Sequence, residues 1–300
     1  MCSSNLSILI PALKKTVAFQ DDLVKKLAGV SIIQRAINKA LEIGVDKQDI
    51  HVLTDSEEIQ LIAERNGVQA YFEPSLVLID VFNNDTSRDY LHKATSNNKY
   101  LLLLSPYAPM LTVELITRAK QDLIESTKDL LKPVKKVKRH LYDNNGQSTL
   151  EALFGSEHEM HIVESKAFVL MRTNLLRKNS KLSPSILSWH IENDMMEIES
   201  YQDWWVCEKL LKRKRIVFRV IGNEKVGMGH IYRALSLAHE ITNHEVIFVS
   251  TSENTVAVNK LAGYDYRLGI YKADSIIENI IKLKPDLVIN DILSTTESDV

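Results

Sequence analysis

The strongest constraint on the fold is a regular alternation of short apolar runs and helical segments, which begins near residue 6 and starts again near residue 215. The first run, Leu6 to Ile10, ends at Pro11 and predicts a buried strand. The next segments are predicted as helix, strand, helix and strand at residues 31–43, 51–54, 57–66 and 68–72. This succession predicts a parallel sheet that is covered by helices on both faces.

The alternation continues with a buried strand at Tyr100–Leu104, the loop SPYAP and a helix predicted from Thr112 to Leu131. The basic run Lys132–His140 follows, and two interpretations stay open for it: a solvated strand edge, or a surface over the phosphates or carboxylate of a substrate. Ligands of parallel sheets lie beyond the carboxyl ends of the strands. The loops after Ile10, Thr54 and Leu104 are therefore where a binding site is expected.

Composition narrows the class of protein. The 300 residues are 45% hydrophobic and 25% charged, with a formal net charge of −2, which excludes disordered, collagen-like and coiled-coil chains. Binding to nucleic acid or to a membrane surface is not expected, because it requires a surplus of Lys and Arg. No apolar run approaches the ~18 residues of a membrane span. Two cysteines cannot build a disulfide framework, and we expect a cytoplasmic protein.

The pattern restarts at Arg215 with the strand IVFRVI, and a loop holding Gly222, Gly227 and Gly229 leads into a helix. We therefore predict two domains, residues 1–214 and 215–300. The second domain is short for a doubly wound domain of about 100–150 residues. It is predicted to be either a minimal half-sheet or part of a fold that the natural protein continues.

Four blocks of the first domain carry a family resemblance: KKLAGVSIIQRAINKA, VLTDSEEI, LLLLSPYAPMLTVELI and EIESYQDW. In this order and spacing they resemble the CMP-sialic acid synthetases, the cytidylyltransferases that activate nonulosonic acids. The resemblance covers about residues 5–214. It implies an α/β, Rossmann-like nucleotidyltransferase domain of three layers, similar to the GT-A fold.

The resemblance also implies an activity, transfer of CMP from CTP to an acidic sugar of the sialic-acid class with the help of Mg²⁺, and a homodimer. The nucleotide-binding residues would be Pro11, Ala12, Lys14, Lys15 and Asp55. The sugar-binding residues would be Ser105, Tyr107, Ala108 and Lys136. The metal ligands would be Glu197 and Glu199, because carboxylate oxygens suit a hard cation.

The phosphate loop departs from the family pattern, since PALKKTVAFQDDL places Leu13, Val17 and Asp22 where the relatives carry cations. Leu111 replaces another cation, and a triphosphate normally requires Lys or Arg beside backbone N–H groups. Lys14 and Lys15 stand where the glycines were and could restore the charge. Two hypotheses follow: a cytidylyltransferase with a degenerate loop, or a non-catalytic binding or scaffold protein that kept the fold.

Structural interpretations of the same residues stay open. Asp55 could be a helix N-cap, with Glu58 completing a capping box. Glu197 and Glu199 could be surface carboxylates on an extended segment.

The block RVIGNEKVGMGHIYRALSLA in the second domain resembles the UDP-sugar hydrolases of pseudaminic acid synthesis and, more distantly, the GT-B glycosyltransferases. The resemblance implies a partial Rossmann-like domain, half of a GT-B fold. Gly227, Gly229 and Arg233 would form an anion loop, and His230 would be the general base that activates water. Asp291 follows the predicted strand DLVIN and resembles the aspartate that follows the corresponding strand in this family. Alternatively, His230 caps the helix and Arg233 pairs with a nearby carboxylate.

Overall fold

The structure is a computed structural model that describes residues 5–14, 22–74, 90–92, 94–95, 98–138, 160–176, 184–191 and 195–293. The chain forms two compact units, Met1–Glu208 and Lys209–Val300. The sequence prediction placed the corresponding boundary after residue 214. Within the described residues, no helix has the length and apolar character to cross a membrane.

The first unit is built on one large sheet. The strands of the first unit are β1 (Leu6–Ala12), β2 (Lys26–Leu27), β3 (Val30–Ser31), β4 (Ile50–Thr54), β5 (Gln69–Phe72), β6 (Tyr100–Leu104), β7 (Leu130–Lys138), β8 (Met160–Glu164), β9 (Phe168–Arg172) and β10 (Ile186–His190). Its helices are α1 (Ile32–Glu42), α2 (Glu57–Asn66), α3 (Val113–Glu125) and α4 (Tyr201–Leu211). The side chains of β1 alternate between the two faces of the sheet, and almost all of them are excluded from solvent. Both faces of this strand are therefore covered. The sheet is therefore the middle layer of an α/β sandwich.

The strand order of this sheet is β10-β7-β9-β6-β1-β4-β5, with β8 paired to β7, and β2 and β3 form a separate hairpin. From β1 the chain moves outward through β4 to β5, and it then returns to the other side of β1 as β6. This reversal makes the carboxyl ends of β1 and β6 a topological switch point, the place where open α/β sheets bind ligands.

Local sequence signals explain the first helices. The Ser31 side chain accepts a hydrogen bond from the Gln34 backbone N–H and caps α1. The buried residues of α1 recur at helical spacing and pack on the sheet. Gly67 ends α2 in the left-handed conformation, with φ of 73°. The predicted strand–helix succession up to β5 is therefore confirmed in type and order.

Two expectations about the first unit were wrong. The helix predicted to reach Leu131 ends at Glu125, and Ser126 takes an extended conformation. Leu130 and Leu131 are instead buried in β7, because strand pairing outweighs the helical spacing of the local sequence. The sheet is also mixed, since β9 runs antiparallel to both β6 and β7.

The second unit has four parallel strands in the order β13-β12-β11-β14. These are β11 (Arg215–Val220), β12 (Glu245–Thr251), β13 (Arg267–Tyr271) and β14 (Leu287–Asp291). The connecting helices are α5 (Gly229–Glu240), α6 (Thr255–Leu261) and α7 (Ile276–Lys282). Because β14 returns to the free side of β11, the switch point of this sheet lies between β11 and β14.

Separate apolar clusters cover the two faces of this sheet. Phe218 and Phe248 stack at 5.4 Å on the face that receives α5 and α6. Val217 and Ile247 lie in the cluster that includes Ile276 of α7. The predicted alternation of the second unit is present, and α6 and β13 are elements that the sequence analysis did not predict.

Candidate functional site

The first candidate site lies at the switch point of the large sheet. Pro11 and Ala12 are the last residues of β1 and pair with Leu53 and Thr54 of β4. Ala12 is fully buried. The backbone that leaves β1 therefore starts its loop at the edge where a nucleotide is expected.

Lys14 is held by two carboxylates, Asp55 of the β4–α2 connection and Glu58 of the first turn of α2. Its backbone N–H donates to Asp55 Oδ1 at 2.7 Å, and its Nζ donates to Glu58 Oε2 at 2.8 Å. The N-cap of α2 is Ser56, so Asp55 fixes the loop after β1 instead of capping the helix. The Lys14–Glu58 pair is partly exposed, and such pairs contribute only about 0–1 kcal/mol. A phosphate group can compete for this lysine. Lys15 lies outside the described residues.

The loop after β6, residues 105–111, is fixed from several sides. The Ser105 hydroxyl accepts from the Tyr107 backbone N–H at 3.3 Å, and the Tyr107 carbonyl accepts from the Ile198 N–H at 2.9 Å. The Tyr107 hydroxyl donates to Oδ1 of the buried Asp22 at 3.1 Å. Burial and the adjacent Asp22 charge raise the pKa of Tyr107, so its hydroxyl keeps its proton and remains a hydrogen-bond donor.

Lys39 is a site residue that sequence reasoning missed. Its ammonium donates hydrogen bonds to the carbonyl oxygens of Ala108 and Pro109 at 3.1 and 3.2 Å. These bonds connect α1 to the predicted sugar loop. Desolvation, assisted by the charge of Arg35, lowers the pKa of Lys39 to about 8. The sequence shows it only as one polar residue of an amphipathic helix.

Lys136 lies exposed on β7, opposite Ile162 of β8. Residues 132–138 of the basic run lie in β7, which pairs with β10 on one side and with β8 and β9 on the other, so the interpretation as a solvated strand edge was wrong. The remainder of the run lies outside the described residues.

Glu197 is held by protein donors on both carboxylate oxygens. Oε1 accepts from Lys135 Nζ at 2.7 Å and from the Ser165 hydroxyl at 2.6 Å, while Oε2 accepts from the Lys166 backbone N–H at 2.8 Å. Glu199 pairs with Lys166 Nζ at 3.0 Å. The Glu197 pair is largely buried, with side-chain exposures of 14% and 19%, whereas the Glu199 pair is exposed.

This arrangement does not fit a Mg²⁺ site. The ion needs oxygen ligands in near-octahedral geometry, and here two ammonium groups and a backbone N–H occupy the carboxylates. Across the residues that the structure describes, no three His, Cys, Asp or Glu side chains form a group that could hold a metal. Glu197 instead joins β7, the β8–β9 connection and the segment before α4. No local sequence pattern predicted that Lys135 and Ser165 would contact Glu197.

In the second unit, the glycines of the β11–α5 loop have different roles. A Cβ on Gly222 would lie 2.3 Å from Cδ1 of the buried Ile231, so glycine lets α5 pack against the loop. Gly227 has φ of 79°, and its N–H donates to the Asn223 carbonyl at 2.8 Å. At Gly229, the first residue of α5, a Cβ would meet no atom within 4 Å. A side chain would therefore be unfavourable at Gly222 and Gly227, whereas Gly229 has room for one.

His230 and Asp291 meet at the switch point of the second sheet. His230 Nδ1 lies 2.7 Å from Asp291 Oδ1, and both side chains are mostly buried, with 19% and 12% exposed. Arg233 Nε donates to Asp291 Oδ2 at 3.0 Å, and its Nη2 also donates to Asp291 Oδ1. The alternative that Arg233 pairs with a carboxylate is thus realised. Met228, not His230, is the N-cap residue of α5, so the histidine is available for another role.

Comparison with known proteins identifies the class of fold. No protein-family model matches the sequence. The chain is 38% identical over 81 residues to an uncharacterized protein of Methanocaldococcus jannaschii, a match that covers 25% of this chain and 16% of that protein. The chain therefore spans about one sixth of the length of this curated relative.

Two solved structures share the fold. CMP:2-keto-3-deoxy-manno-octonic acid synthetase in complex with CTP aligns with a TM-score of 0.52 and 11% identity, covering 70% of this chain and 99% of the synthetase. 4-Diphosphocytidyl-2C-methyl-D-erythritol synthase from Anaerococcus prevotii aligns with a TM-score of 0.52 and 12% identity, covering 69% and 96%. The predicted fold class is confirmed as an α/β, Rossmann-like nucleotidyltransferase fold over about 70% of the chain, and the half GT-B fold expected for residues 215–300 stays a prediction.

Proposed function

We propose that the first unit is a cytidylyltransferase that transfers CMP from CTP to an acidic sugar of the nonulosonic, sialic-acid-like class. The observation that carries the proposal is the meeting of the predicted nucleotide loop and the predicted sugar loop at one switch point. A synthetase with the same fold binds CTP, which supports the choice of nucleotide. The sequence motifs support the choice of sugar.

In the proposed reaction, the anomeric hydroxyl oxygen of the sugar bonds to the α-phosphorus of CTP, and the bond to pyrophosphate breaks. Lys14 would leave Glu58 and contact a phosphate oxygen, at a cost of about 0–1 kcal/mol for the exposed pair. Ser105, Tyr107 and Ala108 would contact the sugar. No step passes through a metal at Glu197 and Glu199, and Mg²⁺ remains a prediction that the assay addresses directly.

The test is release of pyrophosphate from CTP with a panel of nonulosonic acids, measured with MgCl₂ and with EDTA. Lys14→Met is expected to weaken CTP binding by roughly 2- to 150-fold, because a charge-assisted phosphate contact contributes about 1.5–3 kcal/mol and release from Glu58 costs about 0–1 kcal/mol. Lys128→Met is the matched control, since Lys128 is exposed at the opposite, amino-terminal edge of the sheet. Calorimetric titration with CTP gives the affinities.

The outcomes separate the two hypotheses for the first unit. Pyrophosphate release with one of the sugars supports the transferase. CTP binding without release supports the alternative of a non-catalytic binding or scaffold unit. Neither binding nor release with any sugar would refute a cytidine-nucleotide function altogether.

A homodimer belongs to the same proposal, and light scattering after size exclusion measures it. A mass near twice 34.1 kDa is expected, and a mass near 34.1 kDa at micromolar concentration would contradict it.

The second unit has its own candidate function, hydrolysis of a UDP-sugar by water that His230 activates. The contact between His230 and Asp291 at the second switch point favours it, because histidine with a carboxylate partner is a common general base. Release of UDP from UDP-sugars should be lost in His230→Gln. Unchanged release in this variant would refute the assignment.

A further inference from the structure

We propose that Asp291 is a positioning residue that holds neutral His230 as the Nδ1–H tautomer and leaves Nε2 as the proton acceptor of the second unit. The inference rests on the proposed hydrolytic function of that unit only for its chemical consequence. Its structural basis is the set of contacts between three side chains at the β11–β14 switch point.

The hydrogen-bond chemistry of the contacts decides the tautomer. His230 Nδ1 has two polar neighbours, Asp291 Oδ1 at 2.7 Å and Arg233 Nη2 at 3.0 Å. A carboxylate only accepts, and a guanidinium only donates. If Nδ1 carried no proton, its lone pair would face the lone pairs of the carboxylate at 2.7 Å. A proton on Nδ1 removes this repulsion and makes a short charge-assisted hydrogen bond.

Asp291 is ionised in this arrangement. Desolvation raises the pKa of Asp291, but the hydrogen bonds from Arg233 and His230 and the charge of Arg233 outweigh it and bring the pKa below its ordinary value. A protonated Asp291 that donates to Nδ1 is therefore the disfavoured alternative. Arg233 Nη2 carries two protons and donates one to Asp291 Oδ1, so its 3.0 Å contact does not fix the tautomer, whereas the shorter 2.7 Å contact with the carboxylate requires a proton on Nδ1.

Arg233 fixes the carboxylate that fixes the histidine. It contacts both oxygens of Asp291 and lies three residues after His230, on the same face of α5. Asp291 is the last residue of β14, whereas His230 and Arg233 belong to the helix after β11. The three side chains therefore meet because β11, which leads into α5, and β14 are neighbouring strands. Arg233 is committed to Asp291 through two nitrogens, which reduces its availability for the phosphate role expected from the sequence.

The chemical consequence concerns the other ring nitrogen. With the proton on Nδ1, Nε2 holds a lone pair and can take a proton from water while the water oxygen bonds to the anomeric carbon. The bond between that carbon and the diphosphate oxygen breaks, and the diphosphate leaves with the electron pair. Asp291 stabilises the imidazolium that forms, and the proton then passes from Nε2 to solvent.

The test is the tautomer itself, measured by ¹⁵N chemical shifts and long-range ¹H–¹⁵N correlations of His230 at a pH where the ring is neutral. The wild type is expected to carry the proton on Nδ1. Asp291→Asn places an amide donor beside Nδ1 and is expected to move the proton to Nε2, with a loss of about 10³-fold or more in kcat for UDP release. Asp291→Glu should restore the Nδ1–H signal in part, and Asp265→Asn, an exposed carboxylate before β13, should change neither readout.

The readouts separate the two ideas. An Nδ1–H signal in the wild type without UDP release from any UDP-sugar would overturn the hydrolase function and leave the tautomer assignment standing. UDP release together with an Nε2–H signal in the wild type, or unchanged kcat and tautomer in Asp291→Asn, would overturn the inference. A far-ultraviolet circular dichroism spectrum for each variant shows whether it is folded. If Asp291→Asn is unfolded, the wild-type tautomer and the Asp291→Glu rescue decide the question.

Discussion

Replacing Glu197 with glutamine separates a buried structural ion pair from a metal site. The change keeps the side-chain length but removes the charge that faces Lys135 at 2.7 Å. Breaking a buried pair from one side costs about 3–5 kcal/mol. Because the side chains of Glu197 and Lys135 are still 14% and 19% exposed to solvent, we expect a cost at the lower end of that range, about 3 kcal/mol. For a unit of this size, the loss corresponds to about 6–12 °C in Tm.

Glu199→Gln is the matched control, because it makes the same chemical change two residues away. Glu199 and Lys166 are 64% and 79% exposed, and such pairs contribute about 0–1 kcal/mol. The expected decrease in Tm is no more than about 4 °C. The assay is thermal unfolding by circular dichroism, supported by urea midpoints for the first unit, with and without millimolar MgCl₂.

Two results would refute this reasoning. Equal losses in Glu197→Gln and Glu199→Gln would mean that the burial of the first pair has no energetic weight. Stabilisation of the wild type by Mg²⁺, absent from both variants, would mean that the two carboxylates bind the metal in solution.

Three further predictions concern packing, backbone conformation and pH. Gly222→Ala should destabilise the second unit by about 1–3 kcal/mol through overlap with Ile231, while Gly229→Ala should stay within about 1 kcal/mol of the wild type, both by urea unfolding. Gly227→Ala should cost about 1–2 kcal/mol because φ is 79°. Between pH 8 and 10.5 the unfolded chain holds a proton that folded Lys39 releases, so the unfolding free energy of the wild type should rise with pH by about 1–3 kcal/mol relative to Lys39→Met.

Each of these predictions has a contrary outcome. Similar midpoints for Gly222→Ala and Gly229→Ala would show that the loop moves away from α5 at no cost. A neutral Gly227→Ala would show that the turn takes another conformation. Parallel pH curves for the wild type and Lys39→Met would show that this lysine keeps its ordinary pKa when folded.

The sequence was most informative where local signals agree with tertiary packing. The helix after Ser31 has a capping hydroxyl, apolar residues at helical spacing and a glycine after its end, and the structure places α1 within one residue of each predicted limit. β1, β4 and β6 are compact apolar runs, so their place in a parallel sheet could be expected from the alternation alone, whereas the two-residue strands β2 and β3 had no such signal.

Contacts between segments that are distant in sequence could not be predicted in this way. Lys135 and Glu197 are 62 residues apart, and neither residue has a neighbour pattern that indicates the other. The same reason explains the missed role of Lys39, whose partners are carbonyl oxygens that carry no sequence identity. His230 was identified by resemblance, but its contact with Asp291 forms because the strand order places β14 beside β11.

That strand order also sets when the contact between His230 and Asp291 can form during folding. The central pair β11–β12 closes over 30 residues, as the Arg215–Glu245 contact indicates, while joining β14 to β11 closes over 71, as the contact between Arg215 and Asp286 indicates. Loop-closure entropy makes the longer closure about 0.8 kcal/mol costlier, so β14 is expected to dock late during folding. Since Asp291 arrives with β14, a partly folded chain would hold His230 without the carboxylate that contacts its Nδ1.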